Sequence, residues 1–360
     1  MDGHDEFSIR RQRLMERLRE ARVPAFLTAA LPNVRYLSGF TGSNGALLVT
    51  ADRALLFTDP RYQTQAPQES DCEVKIAKTP LTKEISRWSK RLRLKSIAFE
   101  QHRISFGDFQ LLKESAGAVR WKPAGGAVEE LRVLKSPAEV ATIRASVQVN
   151  SAALEQALRR FHPSMTEVDL AAEIEYRMRR LGADGPAFET IVASGERTAL
   201  PHARPTDHPI RPDRLLLVDM GAIVAGYASD MTRTLAVGKL SAKLRRMYRA
   251  VLESQLAAVD AVKPGISCGT VDRAAREVLR GYGLDALFIH STGHGLGLEI
   301  HERPRVGRKE RTKLQPGMVI TIEPGAYQEG LGGIRIEDTV VVTSHGCQIL
   351  TPTRKELVVL

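Results

Sequence analysis

Between residues 166 and 339 one pattern occurs twice, so the chain has to fold as two like halves around a shared core. Thr166–Glu173 resembles Thr270–Glu277, each reading as a cap-initiated amphipathic helix, and each is followed by Gly-x-Asp, at Gly182–Asp184 and Gly283–Asp285. Strand pairs come next. Pro212, Asp219, Gly221 and Ala222 recur as Pro316, Glu323, Gly325 and Ala326 at a constant offset of 104. Further on, Asp230 and Thr232 recur as Glu337 and Thr339 at an offset of 107. A helix followed by a β-hairpin has been duplicated and fused.

Each copy brings one carboxylate at the end of its first strand and another in its second. Folded about a pseudo-twofold axis, the copies bring Asp219, Asp230, Glu323 and Glu337 face to face. Like carboxylates in a partly buried site repel and are driven to protonate unless cations neutralise them, so a divalent metal is expected. The two-residue period of a strand places Arg335, Glu337 and Thr339 on one face and turns Asp338 away; it also groups Asp230 with Thr232 and Thr234, and Glu323 with Thr321. Between the two hairpins runs His290-Ser-Thr-Gly-His294-Gly-Leu-Gly-Leu-Glu-Ile-His301-Glu302. Its glycines let backbone approach the acids, and its histidines add imidazole. Four carboxylates with one imidazole suit a pair of hard-to-borderline cations such as manganese, cobalt or zinc.

Upstream of the repeat the pattern changes. Val23–Thr28, Ala46–Val49, Ala54–Phe57, Val74–Ala77 and Ser96–Phe99 read as strands, and Ile9–Ala21, Leu81–Leu92 and Phe106–Ala116 as amphipathic helices. Pro123-Ala-Gly-Gly126 closes this α/β region, which sets the expected domains at 1–127 and 128–360. Ser136-Pro137-Ala138-Glu139 then starts a long helix with a capping box and a proline in its first turn.

A net charge of +10 raises the question of nucleic acid. Residues 1–127 carry +7 and residues 128–360 carry +3, and the excess lies on helix faces such as Arg10, Arg11, Arg13, Arg17, Arg19 and Arg22 without interleaved aromatics. A solvated basic face is the expectation. Cys72, Cys268 and Cys347 are odd in number and far apart, which argues against a disulfide framework. No apolar run is long enough to span a membrane, and the acidic start, Met1–Glu6, carries no signal-like segment, so a cytoplasmic location is expected.

The string His290–Glu302 fits the proline-peptidase signature of the pita-bread metallopeptidases, and Asp219, Asp230, His294, Glu323 and Glu337 stand in that family's ligand order. The chain resembles the Xaa-Pro aminopeptidase and prolidase branch. Asn33–Asn44 and Phe57–Tyr62 are similar to the creatinase-type N-terminal domain, and Leu131–Glu139 to the entry into the catalytic domain. The fold implied is an α/β N-terminal domain followed by an α+β pita-bread catalytic domain.

On these positions the resemblance implies two divalent ions, manganese foremost. Asp219 would hold one, His294 and Glu323 the other, and Asp230 and Glu337 would bridge them. A water between the ions would attack the carbonyl preceding proline, with Glu323 as proton acceptor. His202 and His301 resemble residues that steady the tetrahedral intermediate and protonate the leaving prolyl nitrogen. Arg335 resembles the arginine that positions the bridging acids, and His290 a wall of the proline pocket. The implied function is Xaa-Pro aminopeptidase, because Tyr36–Asn44 and Asp59–Tyr62 look like bacterial enzymes so named. The alternatives are an Xaa-Pro dipeptidase (prolidase) restricted to dipeptides, and a non-catalytic basic pita-bread binding protein. Proline-containing peptides and a second copy of the chain, as a homodimer, are the expected partners; nucleic acid and membrane are not.

Overall fold

A computed structural model of the chain describes residues 3–20 and 22–360, with side chains from residue 6 onward. Ala21, the expected end of the first helix, and Met1 and Asp2 of the acidic start lie outside the described residues. Two compact units are present, divided between Arg132 and Val133.

The first unit holds six strands: β1 (Ala25–Thr28), β2 (Gly45–Thr50), β3 (Ala54–Thr58), β4 (Glu73–Ile76), β5 (Ser96–Phe99) and β6 (Arg120–Pro123). They form one mixed sheet in the order β4-β3-β2-β1-β5-β6. Its helices are α1 (Gly3–Glu20), α2 (Leu31–Ser38), α3 (Gln65–Glu69), α4 (Leu81–Arg91), α5 (Phe106–Ala116) and α6 (Glu129–Arg132). Leu27, Leu48, Phe57, Ile85, Trp88 and Leu112 pack the sheet against α4 and α5. The two strings that carried the family resemblance here are bonded to each other: Asn44 donates to Asp59 at 2.6 Å, and the hydroxyls of Ser43 and Tyr62 meet at 2.6 Å.

Beyond the end of β5, the Glu100 carboxylate is 3% exposed and accepts from Thr28 Oγ1 at 2.5 Å and Asn33 Nδ2 at 2.6 Å. Burial pushes its carboxyl from 4.5 up to about 7. Across that window the folded unit keeps a proton that the unfolded chain releases, so stability falls as pH rises through it, by about 3 kcal/mol in total. Glu100→Gln removes this pH dependence. Melting temperatures of the parent and the variant, followed from about pH 5 to about pH 8, should diverge, with the parent losing ground; parallel curves would contradict the assignment.

The second unit opens with α7 (Pro137–Leu158), whose capping box between Ser136 and Glu139 is formed as expected. The first copy of the repeat follows as α8 (Glu167–Arg180), β7 (Gly185–Pro186), β8 (Ile191–Ser194), β9 (Arg214–Met220), β10 (Ala222–Val224), β11 (Tyr227–Ala228) and β12 (Met231–Val237). After α9 (Ala242–Asp260) come α10 (Cys268–Gly281), β13 (Gly293–Gly295), β14 (Glu302–Val306), β15 (Val319–Ile322), β16 (Gly325–Gln328), β17 (Gly332–Arg335), β18 (Asp338–Val342) and β19 (Cys347–Ile349). The equivalent hairpins are β9 with β12 and β15 with β18, both antiparallel.

Two details depart from the repeat as read. Thr166 caps α8, but Ser267 rather than Thr270 caps α10, and Thr270 lies inside the first turn with its N–H donating to Ser267 Oγ. The helices therefore correspond at an offset of 101, as do the left-handed Gly182 and Gly283, and three extra residues enter the second copy only before its strands. The second difference is in register. Asp219 stands opposite Thr232, whereas Thr339, the counterpart of Thr232, stands opposite Thr321 and not Glu323. A slip of two residues leaves every side chain on its original face, so the inward set survives.

The copies are stitched together by threonines and backbone. Glu337 N donates to Thr232 O at 3.1 Å, Thr234 Oγ1 to Arg335 O at 2.9 Å, and Thr339 Oγ1 to Asp230 O at 2.9 Å. Among the described residues no helix is long and apolar enough to cross a membrane.

Candidate metal centre

Where the hairpins face each other, ligand atoms of Asp230, His294 and Glu337 lie within 4.8 Å of one another. His294 Nε2 is 3.6 Å from Asp230 Oδ2 and 3.4 Å from Glu323 Oε1. His294 Nδ1 lies 3.0 Å from Gly295 O and donates to it, so Nε2 carries the lone pair that points at the acids. Burial lowers the proton affinity of this imidazole, which favours the form that can donate its lone pair. An arrangement of this kind calls for a cation between the groups.

The acids give the same answer. Burial, reinforced by the neighbouring carboxylates, raises Asp230 and Glu337 well above the ordinary range, and burial pushes Glu323 up to about 7 against the pull of Arg335. Asp219 Oδ1 and Glu337 Oε1 are buried with no hydrogen-bond partner. Unpartnered carboxylate oxygens this deep are rare unless an ion takes them. The donor set thus fits divalent metal, and the five residues expected as ligands are brought to one place.

Arg335 is 3% exposed and donates to Asp219 Oδ2 at 2.6 Å, Thr232 Oγ1 at 3.0 Å and the Tyr327 hydroxyl at 2.7 Å. Its direct carboxylate partner is Asp219, and it reaches Glu337 only through Thr232, whose hydroxyl donates to Glu337 Oε2 at 2.7 Å. The Asp338 side chain faces the other way, as the period of two requires, and meets Arg233 at 2.8 Å and Lys355 at 2.7 Å.

A cleft of about 700 Å³ lies over the acids, lined by His202, His290, His294 and His301 together with Arg204 and Arg305. The rings of His294 and His301 are 4.4 Å apart. Burial pushes His290 down to about 4, and its Nε2 accepts from the Tyr327 hydroxyl at 2.9 Å. Tyr327 thus joins Arg335 to His290, a link the sequence reading missed; the strand period from Glu323 through Gly325 to Tyr327 could have found it. Also missed were Asp272, which accepts from Thr292 Oγ1 at 2.8 Å, and Arg276, which donates to His290 O at 2.5 Å.

Residues 141–344 match the model of metallopeptidase family M24, and residues 10–134 match the creatinase/prolidase N-terminal domain. The chain belongs to metallopeptidase family M24. Its two halves are those expected, a creatinase-type N-terminal domain and a pita-bread catalytic domain. This M24 chain is 37% identical over 349 residues, 96% of its length and 98% of the relative's, to the Xaa-Pro dipeptidase of Pyrococcus horikoshii. Among solved structures it superposes on the Xaa-Pro dipeptidase from Bacillus anthracis with a TM-score of 0.96 and 37% identity, covering 98% of this chain and all of the other. The X-Pro aminopeptidase from Thermotoga maritima gives a TM-score of 0.89 at 36% identity, covering 95% of this chain and all of the other. The M24 chain is a metallo-exopeptidase that uses divalent metal.

Proposed function

We propose that this metallopeptidase is an Xaa-Pro dipeptidase. Names of full-length relatives favour that reading over the aminopeptidase expected from Tyr36–Asn44 and Asp59–Tyr62. Those strings are bonded to each other within the first unit, where they help hold that unit together. One observation in the cleft supports the dipeptidase most directly. Arg305 lines it, directly across the β13–β14 ladder from His294, with no ion-pair partner among the described residues. A dipeptide ends in a carboxylate beside the scissile bond, and a guanidinium there suits it.

Asp219, Asp230, His294, Glu323 and Glu337 would hold two divalent cations, which when bound activate a water and polarise the scissile carbonyl. Glu323 accepts the proton of the attacking water. His202 and His301 face the substrate, one steadying the developing oxyanion and the other delivering a proton to the prolyl nitrogen. Arg335, through Asp219 and Thr232, keeps the acids in place, and Tyr327 passes that order on to His290 at the proline ring. An X-Pro bond is a tertiary amide without N–H, so its recognition depends on shape and on the terminal carboxylate. Manganese as preferred ion and a homodimer as working form belong to the same reading; metal reconstitution and sedimentation test them.

The deciding assay compares Ala-Pro with Ala-Pro-Ala. The dipeptide should be strongly preferred, and Arg305→Ala should raise its KM ~10-fold or more while leaving bound metal unchanged. Equal turnover of both peptides would restore the aminopeptidase. His202→Ala and His301→Ala should each lower kcat by ~10²–10³-fold with metal retained. Metal lost in proportion to activity would instead make these histidines ligands.

A further inference from the structure

On the flank of α10 the chain forms a second hollow, of about 580 Å³, between that helix and the loop Arg308-Lys309-Glu310-Arg311. It is lined by cations. Arg273, Arg308, Lys309 and Arg311 are exposed and have no ion-pair partner among the described residues. The two acids of the lining neutralise none of the four. Asp272 is buried and held by Arg276 at 2.8 Å, and Glu310 curls back onto its own loop, accepting from Arg311 N, Thr312 N and Thr312 Oγ1.

The hollow is built rigidly. Cys268 N donates to Thr312 O and Gly269 N to Glu310 O, both at 2.9 Å, so the first turn of α10 is spent on holding the loop. A Cβ on Gly269 would lie 2.7 Å from Glu310 O, which leaves no room for any other residue there. Lys309 is fixed in the left-handed region, with φ of 62°. The positive charge therefore comes from side chains arranged around a preformed concavity.

We propose that this hollow binds a small solute bearing two or more phosphate groups. Its volume is that of a small-molecule site. No aromatic side chain lines it, so it offers no stacking surface for bases. Four unpaired cations converging on one concavity suit clustered phosphate oxygens, which guanidinium groups bind in pairs. Free sugar bisphosphates and phosphorylated lipid headgroups share this chemistry, and the test separates them.

Titration calorimetry on the metal-loaded full chain, with the same metal in cell and syringe, uses fructose 1,6-bisphosphate as probe and fructose as control. The bisphosphate should bind at one site per chain. The double variant Arg308→Glu, Arg311→Glu should weaken it by ~10-fold or more while Ala-Pro hydrolysis stays at the parent rate, showing an intact fold. A control double reversal at Arg13 and Arg17 on α1 should leave binding unchanged. Equal binding by parent and hollow variant, no binding at millimolar probe, or binding only to anionic vesicles or duplex DNA would each overturn the proposal.

Discussion

Asp230→Asn should cost the protein its metal and lower kcat/KM by ~10³-fold or more, since an ion that polarises the carbonyl and activates water contributes several kcal/mol to the barrier. The substitution keeps shape and removes a charge at the point where Asp230, His294 and Glu337 converge. Its effect on stability should reverse with metal content. Without metal, Asp230 is 5% exposed and surrounded by other acids, so the variant should melt above the parent. With manganese added, the parent should gain and the variant should not, because stabilisation by a ligand follows its affinity for the folded state. Metal analysis and paired melting curves read both outcomes. A variant that retained its metal and its rate would remove Asp230 from the centre.

The second large effect concerns stability alone. Arg233 is 2% exposed, behind the sheet that carries Thr232 and Thr234. It donates to Asp338 Oδ1 at 2.8 Å and to the carbonyls of Glu337, Thr353 and Arg354 at 2.5, 2.5 and 2.9 Å. Arg233→Met should destabilise the catalytic unit by about 3–5 kcal/mol, the usual result of leaving a buried partner uncompensated. Urea denaturation of the metal-loaded protein measures it. Lys355 and Gln255 also reach Asp338, at 2.7 and 3.0 Å, so Lys355→Met alone should cost less. A loss below about 1 kcal/mol for Arg233→Met, the range of an exposed pair, would contradict this account.

The clustering of the candidate metal centre was legible in the sequence because matched offsets fix which residues are equivalent, and strand parity fixes which side they face. Even the two-residue slip of the second hairpin could not spoil this, since parity repeats every two residues. The capping of α10 was misread for the converse reason: aligning Thr166 with Thr270 follows residue identity, while a helix start follows backbone geometry, and that belongs to Ser267. Short elements such as α2, α3 and β6 carry too few residues for a periodic signal. Arg233 was not singled out in the sequence, because its partner Asp338 lies 105 positions away and nothing local marks the pair.

The threonine seam between the copies also has a meaning for how the enzyme is made. Asp219 and Asp230 leave the ribosome with the first copy, His294 and Glu323 follow, and Glu337 comes last of the five, 107 residues after Asp230. Glu337 N and Arg335 O are among the groups that join the second copy to Thr232 and Thr234 of the first. A chain made only as far as the first copy therefore presents Asp219 and Asp230 without His294, Glu323 or Glu337. On the proposed ligand set, an ion loads only once both copies are made and joined, and a chain cut before Glu337 should bind no metal.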